Sequence, residues 1–377
     1  NTAAHPTAVM SARTRDDIDY FPLTGDYEER FYAAGKILGS RFIKREGRPS
    51  EQAILSGRVV DRTIRPLFPS HIRNEIQVII TVLALDEDDP DVVAVNAASL
   101  ALATSNIPWG GPVAAVRIGK QNDFVINPTY SQRKEMPLDI LACGKDGTVN
   151  MVEVAGIESS EEEVVQGFAL AVEEHHKLLA WQKKIVAEIG KPKIEAPKPE
   201  IPAALEELYA TQFASKVRAA VFCGVAGKDA IHAVQDEWKA KISELASQKP
   251  PASGETNTSP TPFAEVFASL TAGAAKRFLE DKVDEEIHRG AVEDNKRADN
   301  RAFDEIRPLF AKAGGISPIL HGSGIFYRGG THVFSALTLG GPGDSQLVDT
   351  MEEQEVKKRF MHHYNFPPYS AGETGRM

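Results

Sequence analysis

Cysteine is almost absent from this chain: two residues in 377, Cys143 and Cys223, far apart and each in an apolar stretch. They build neither a zinc spacing nor a C-x-x-C pair, so reduced, buried thiols in a reducing compartment are expected. Long apolar runs are also missing. None approaches the roughly 18 residues that a spanning helix needs, and the N-terminus has no signal-peptide pattern. A cytoplasmic protein with no membrane partner is therefore expected. An initiator Met is missing. The chain opens NTAAHPTAVM, in what reads as a strand, and stops at GETGRM, so it reads as a piece of a longer protein. Positive charge is in deficit, with 43 Lys and Arg against 53 Asp and Glu and a formal net charge of -10.

What is present is a mixture of strand and helix patterns. EIQVIITVLAL (Glu75 to Leu85) is a β-branched apolar run of strand length. DVVAVNAASLALATSNI (Asp91 to Ile107) is rich in Ala and Leu and long enough for a buried helix. GPVAAVRIG, DFVINP, DILACG and GTVNMVEVAG read as short strands. Ser160 and Glu163 form a capping box for a helix that runs to about Ile189, closed by Gly190 and Pro192. The linker KPKIEAPKPEIP follows. Residues 203–295 then read as helical, with helices near Ala203 to Phe222, Asp229 to Gln248 and Phe263 to Arg289. The stretch KPPASGETNTSPTP between the last two reads as mobile. After Arg297, GSGIFYRGGTHVFSALTLG reads as a hairpin turning at Gly329-Gly330. The fold class expected is α+β, with an all-helical domain set between two α+β units.

The positive charge that exists is concentrated. Between Arg41 and Arg73 lie eight cations (Arg41, Lys44, Arg45, Arg48, Arg58, Arg62, Arg65 and Arg73) and three acids (Glu46, Glu51 and Asp61), a local excess of five positive charges. Arginine's planar fork suits bidentate contacts to phosphate, and the ring of Phe42 among the cations can stack on a base. Arg58, Arg62 and Arg65 are spaced equally well for pairing with Asp61 on a helix face. Lys44, Arg45 and Arg48 flank Gly47 and Pro49 and so sit on a loop, where binding residues concentrate. The adjacent pairs His175-His176 and His362-His363 point to opposite sides of an element and make poor metal sites. GGPGD (Gly340 to Asp344) lacks the lysine and helix context of a phosphate loop and reads as a turn.

The stretch YFPLTGDYEERFYAAGKILGSRFIKREGRPSEQAILSGRVVDRTIRPLFP resembles the first core domain of the bacterial polynucleotide phosphorylase family. INPTYSQRKEMPLDILACG, RADNR and HYNFPPYSAGETG resemble further signatures of that family, in the same order along the chain. The resemblance implies ribonuclease-PH-like core domains separated by a helical domain. Residues 1–190 would be the first core domain, shortened at its N-terminus and catalytically degenerate. Residues 203–295 would be the helical domain, and 297–377 the start of the second core domain. The implied activity is 3′-to-5′ phosphorolysis of single-stranded RNA in mRNA turnover, with inorganic phosphate as co-substrate, Mg2+ or Mn2+ as cofactor and nucleoside diphosphates as products. The implied partners are two further copies in a trimeric ring, and an endoribonuclease and a helicase in an RNA degradosome.

The same resemblance implies that the catalytic serines, aspartates and lysine follow Met377, so that no catalytic or metal residue lies in this chain. In the first core domain the serine positions fall near Asp89, Pro90 and Asp91, within DEDDPD, whose charge repels phosphate. One metal-binding Asp matches Asp139; the other position carries Arg133, and the Lys position carries Leu141. Asp139 is therefore expected to be structural. The family places the loop matching Phe42, Lys44, Arg45 and Arg48 along an RNA channel; Ile43 and Lys44 stand where Phe and Arg are usual. Two other readings stay open: a catalytically silent RNA-binding subunit of an exosome-like ring, and a hydrolytic 3′ exonuclease of the same fold.

Overall fold

The computed structural model describes residues 1–15, 18, 20–37, 47–196, 200–225, 227–247, 267, 270, 272–353 and 355–375. The chain is α+β. Its contacts divide it into two compact units, one of Asn1–Arg15, Tyr20–Pro197 and Gly340–Met377, the other of Asp16–Asp19 and Lys198–Leu339. Among the described residues no helix is long and apolar enough to cross a membrane.

The first unit is built in layers. Strand β1 (Ala3–Thr14) pairs antiparallel with β3 (Asn74–Ala84), and β2 (Leu23–Glu28) pairs parallel with the other edge of β3. The alternation in β3 sends Ile76, Val78, Ile80 and Val82 to one face, where all four are fully buried. That face packs on helices α1 (Glu51–Ile64) and α2 (Pro90–Thr104). On their far side lies a second, antiparallel sheet in the order β5-β4-β6-β7: β4 (Ala114–Lys120), β5 (Phe124–Ile126), β6 (Leu138–Lys145) and β7 (Thr148–Gly156). A short helix, α3 (Tyr130–Arg133), joins β5 to β6, and α4 (Glu161–Ile189) covers the outer face of this sheet. With helices on both faces, β4 and β6 are buried almost throughout, which is why both read as continuous apolar runs.

Capping chemistry fixes the helix starts. The Ser50 hydroxyl accepts from Ala53 N at 3.0 Å, and Ser160 and Glu163 close the expected capping box on α4. A polar seam inside the core holds α2, α4 and the approach to β4 in register. Ser99 Oγ donates to Gln182 Oε1 at 2.7 Å and accepts from Val113 N at 2.9 Å, and Gln182 Nε2 donates to Val113 O at 2.7 Å. His175 is buried and its Nε2 lies 2.9 Å from Ala142 O, while His176 faces solvent. Burial holds the His175 imidazole below its ordinary pKa, so it sits in the core as a neutral ring. Cys143 is buried as expected. Cys223 is exposed instead, because it follows the end of a helix of the second unit, where no layer covers it.

In the second unit the helix expected over Ala203 to Phe222 is divided. Helix α5 (Ala203–Leu208) and α6 (Ala214–Val221) flank a π turn at Tyr209–Phe213. Helices α7 (Asp229–Ser247) and α8 (Ala272–Val292) complete the group. The stretch from Lys249 to Pro262 lies outside the described residues. An aromatic stack centres the helices: Trp238 meets Phe213 edge-on at 4.9 Å and Phe278 face-on at 5.7 Å, and its indole N–H donates to Ala275 O at 2.8 Å. The same unit carries a three-stranded antiparallel sheet of β8 (Leu309–Ala313), β9 (Gly322–Arg328) and β10 (Thr331–Leu337), with the hairpin turn at Gly329-Gly330. The segment GGPGD is a single 3-10 turn at Pro342–Asp344, as its composition suggests.

One glycine fixes the β6–β7 pairing. The register shifts between Cys143 and Gly144, and a Cβ on Gly144 would stand 1.9 Å from the Thr148 carbonyl oxygen. That neighbour is backbone and cannot rotate away, so Gly144→Ala is expected to destabilise the protein by about 2–3 kcal/mol. A lowered urea midpoint at unchanged slope would register this; a midpoint equal to the wild type would show that the bulge can relax.

Candidate functional site

The described part of the basic segment divides into two classes. Phe42, Lys44 and Arg45 lie outside the described residues. Arg48 is exposed on the stretch leading into α1. That stretch is fixed at its end by Ser50, whose hydroxyl donates to Glu29 Oε2 at 2.5 Å. Arg58 and Arg62 are exposed along α1. Arg65 is not available: its guanidinium is bidentate on Asp61, at 2.8 and 2.6 Å, and also donates to Leu23 O. Arg73 is buried and donates to Ser70 O and Ile72 O at 2.7 and 2.8 Å, so it supports the turn into β3.

The acidic and basic residues singled out by the resemblance converge. Asp89, Asp91, Arg133 and Asp139 line one cleft of the first unit, of about 1150 Å³, with Lys36, Tyr130 and Glu352 also on its wall. At its centre is a residue whose sequence context gave no signal, Arg117 on β4. Its side chain is buried, and it reaches three carboxylates. Nε donates to Asp89, Nη1 donates to Asp139 Oδ1 at 2.9 Å, and Nη2 stands 4.0 Å from Asp91 Oδ2. Arg133 closes the lattice from α3, with Nε 2.9 Å from Asp139 Oδ2 and Nη1 3.3 Å from Asp89 Oδ2.

Local structure explains how these groups meet. Asp89 is the N-cap of α2 and takes the Asp91 N–H at 2.9 Å. The helix N-terminus, where oriented N–H groups and the macrodipole would favour an anion, is therefore served by the chain's own carboxylate. Thr129 and Gln132 form a capping box on α3. Glu87, just before Asp89, accepts from Ser131 N at 3.1 Å and from its hydroxyl at 2.6 Å, tying α3 to the head of α2. The Arg133 guanidinium lies 5.4 Å from the centre of the Tyr130 ring.

Burial sets the electrostatics. Desolvation, reinforced by the Asp89 charge, pushes the Asp91 carboxyl up to about 7. Burial also raises Glu352, with Asp89 and Glu29 adding to it, and raises the phenols of Tyr27 and Tyr130. Burial opposes the charge on Arg117, but Asp89 and Asp139 hold its pKa above the ordinary value. Both oxygens of Asp139 are engaged by arginines, which leaves it poorly placed to ligate a cation. Among the described residues no group of three His, Cys, Asp or Glu could hold a metal ion. The donor set of this cleft does not fit a divalent ion: Asp89 and Asp139 are committed to the two arginines, while Asp91 Oδ1 is buried without a hydrogen-bond partner.

Comparison with known proteins adds the following. Residues 1–108 match the family model described as 3′ exoribonuclease family, domain 1. The chain is 41% identical over 379 residues to a polyribonucleotide nucleotidyltransferase of Bacillus licheniformis, covering 98% of this chain and 50% of that protein. It is 42% identical over 377 residues to the protein of that name from Anoxybacillus flavithermus, covering 98% and 51%. It is 40% identical over 383 residues to the one from Synechococcus elongatus, again covering 98% and 51%. The chain thus spans about half the length of the curated relatives it matches.

The lattice makes a measurable demand on stability. Arg117→Met leaves three carboxylates without their shared cation and is expected to cost about 3–5 kcal/mol at pH 8 in urea unfolding. The Arg117 charge opposes the rise of Asp91, so its loss raises the folded-state pKa of Asp91 further. The contribution of Asp91 is then favourable at low pH and declines as pH rises, so the deficit should shrink toward pH 5.5. A deficit independent of pH would show that Arg117 acts by packing alone.

Proposed function

We propose that this chain, a relative of the polyribonucleotide nucleotidyltransferases over nearly its whole length, is part of a phosphate-dependent 3′ exoribonuclease. The observation that carries this reading is the identity over 98% of the chain. In the reaction, an oxygen of inorganic phosphate attacks the terminal phosphodiester of an RNA strand. The new P–O bond forms as the bond to the penultimate 3′ oxygen breaks. A nucleoside diphosphate leaves, and the shortened strand keeps a 3′ hydroxyl. The reverse direction polymerises nucleoside diphosphates and releases phosphate.

The cleft of the first unit takes no chemical step in this scheme. Asp89 occupies the helix N-terminus, Arg133 stands in place of a carboxylate, and Asp139 is held by two arginines. Phosphate, and the Mg2+ or Mn2+ that would neutralise its oxygens, belong to residues outside these 377. The contribution of this chain is to hold RNA, through Phe42, Lys44, Arg45 and Arg48. Three copies in a ring would focus those cations on one strand. The domain scheme of two core domains about a helical one, a cytoplasmic location, and association with an endoribonuclease and a helicase belong to the same proposal.

Two experiments test it. The longer protein, given poly(A) and inorganic phosphate, should release nucleoside diphosphates and release nothing when phosphate is left out. Monophosphates would identify a hydrolase, and absence of turnover a silent ring subunit. The 377 residues alone should release none. Changing Lys44, Arg45 and Arg48 together to Ala in the longer protein should raise KM for RNA. It should also flatten the log–log salt dependence of binding by roughly 0.7 per lost phosphate contact, and leave the affinity for inorganic phosphate unchanged. An unaltered salt slope would mean that the loop is a solvated charge run.

A further inference from the structure

The cleft has an occupant that neither the basic loop nor the relic site accounts for. Strands β11 (Gln346–Val348) and β12 (Val356–Lys358) form a hairpin, and the turn between them enters the wall of the first unit. Thr350 shapes this turn. Its N–H donates to Glu353 O at 2.8 Å, and its hydroxyl accepts from Glu353 N at 3.0 Å. Met351, at the tip, is 2% exposed and joins the main hydrophobic core with residues of β2, α1 and α2. Lys36 Nζ donates to the carbonyls of Thr350 and Met351, at 3.3 and 3.0 Å. A core anchor and an ammonium clamp on backbone carbonyls make a built seat.

The next residue opposes that seat. Glu352 is half-buried and faces acids from several elements: Glu29 after β2, and Asp89 and Asp91 at the head of α2. The neutral phenol of Tyr130 of α3 donates to Glu352, which eases but does not reverse the effect of burial, and the phenol of Tyr27 of β2 stands nearby. Among the described residues the cations lining the cleft are Lys36, already on the turn's carbonyls, Arg133, already on Asp89 and Asp139, Arg117, on the same two acids, and Lys134, exposed at the rim. Glu153 of β7 lines the cleft as well, and Lys358 of β12 pairs with Glu51 of α1 at 3.6 Å. The arginines are thus shared among Asp89, Asp91 and Asp139 before Glu352 arrives.

We propose that the 349–353 turn is a proton-dependent latch on the first unit: Met351 and Lys36 seat it, the crowding of Glu352 with Asp89 and Asp91 in the cleft opposes the seat, and proton uptake by Glu352 and Asp91 closes it. The sign follows from the burial of the carboxyls. Seating raises their affinity for protons, so the seated form binds more protons than the released one. Seating is firmest in mild acid and weakens as pH climbs toward and through neutrality, where Asp91 titrates at about 7. Each unit by which seating raises a carboxyl changes the ratio of seated to released turn by up to tenfold.

The six methionines supply the probe. The full 377-residue chain, labelled with methyl-13C methionine, would be followed by NMR from pH 6 to 8.5, with the Met351 signal assigned by Met351→Leu. The core methionine Met151 reports the integrity of the first unit. The expected result is a fall of at least about threefold in the seated-to-released ratio between pH 6 and pH 8. Glu352→Gln should flatten that dependence and leave the turn more fully seated at pH 8. Lys36→Met should lower the seated fraction at every pH while keeping the slope. A Met351 signal unchanged across the range, a Glu352→Gln slope equal to the wild type, or a Lys36→Met seated fraction equal to the wild type would each overturn the latch.

Discussion

The guanidinium of Arg117 is the group on which the first unit is organised. It is placed by the middle of a strand buried on both faces, where a cation is tolerated only if its charge is answered. Asp89 and Asp139 answer it directly and Asp91 stands at the edge of reach. Those three acids come from the head of α2 and from β6, so one cation fixes the angle at which a helix meets the sheet. Arg133 then brings α3 into the same arrangement. Removing any one partner leaves a buried charge without compensation, which is why the cluster behaves as a unit rather than as a set of separate ion pairs.

Much of the framework was legible in the residues. The apolar run from Glu75 to Leu85 is β3 within one residue, the Ala-rich stretch is α2, and the Ser160–Glu163 box opens α4. Each is set by local pattern or capping chemistry, which a linear reading detects. The short strands β2, β11 and β12 carried too few alternating positions to stand out. Helix α5 was read as continuous with α6, because a π turn leaves the apolar periodicity nearly intact. The family resemblance singled out Asp89, Asp91, Arg133 and Asp139, and they share one cleft. Arg117 was not legible. It lies in VAAVRIG, where a single arginine among strand residues has no motif, and its role comes only from partners 22 and 28 residues away. Within the basic segment the spacing allowed Arg58, Arg62 and Arg65 to pair with Asp61, and Arg65 does so; Arg73 is held by carbonyls, while Arg48, Arg58 and Arg62 stay exposed.

The cleft and the exposed arginines near α1 obey opposite electrostatic rules. In the cleft, charge is buried and paired at close range, so its energetics depend on geometry and respond weakly to salt. On the stretch leading into α1, charge is exposed on a loop and responds strongly to ionic strength. One unit can therefore keep an acidic interior beside a basic loop without the two cancelling, because low dielectric localises the first and solvent screens the second.

The carboxylate of Asp89 at the head of α2 also bears on how such a domain can change over time. An anion-binding helix terminus would require removal of that cap, but this step takes from both Arg117 and Arg133 an acid that they share. Replacing Arg133 first would instead expose Asp139 and Asp89 to each other. Each such single change passes through a state with an unmatched buried ion, at a cost of several kcal/mol against a total stability of about 5–15. The lattice thus acts as a ratchet: a change toward an open anion site cannot be made one residue at a time without first breaking a buried ion pair.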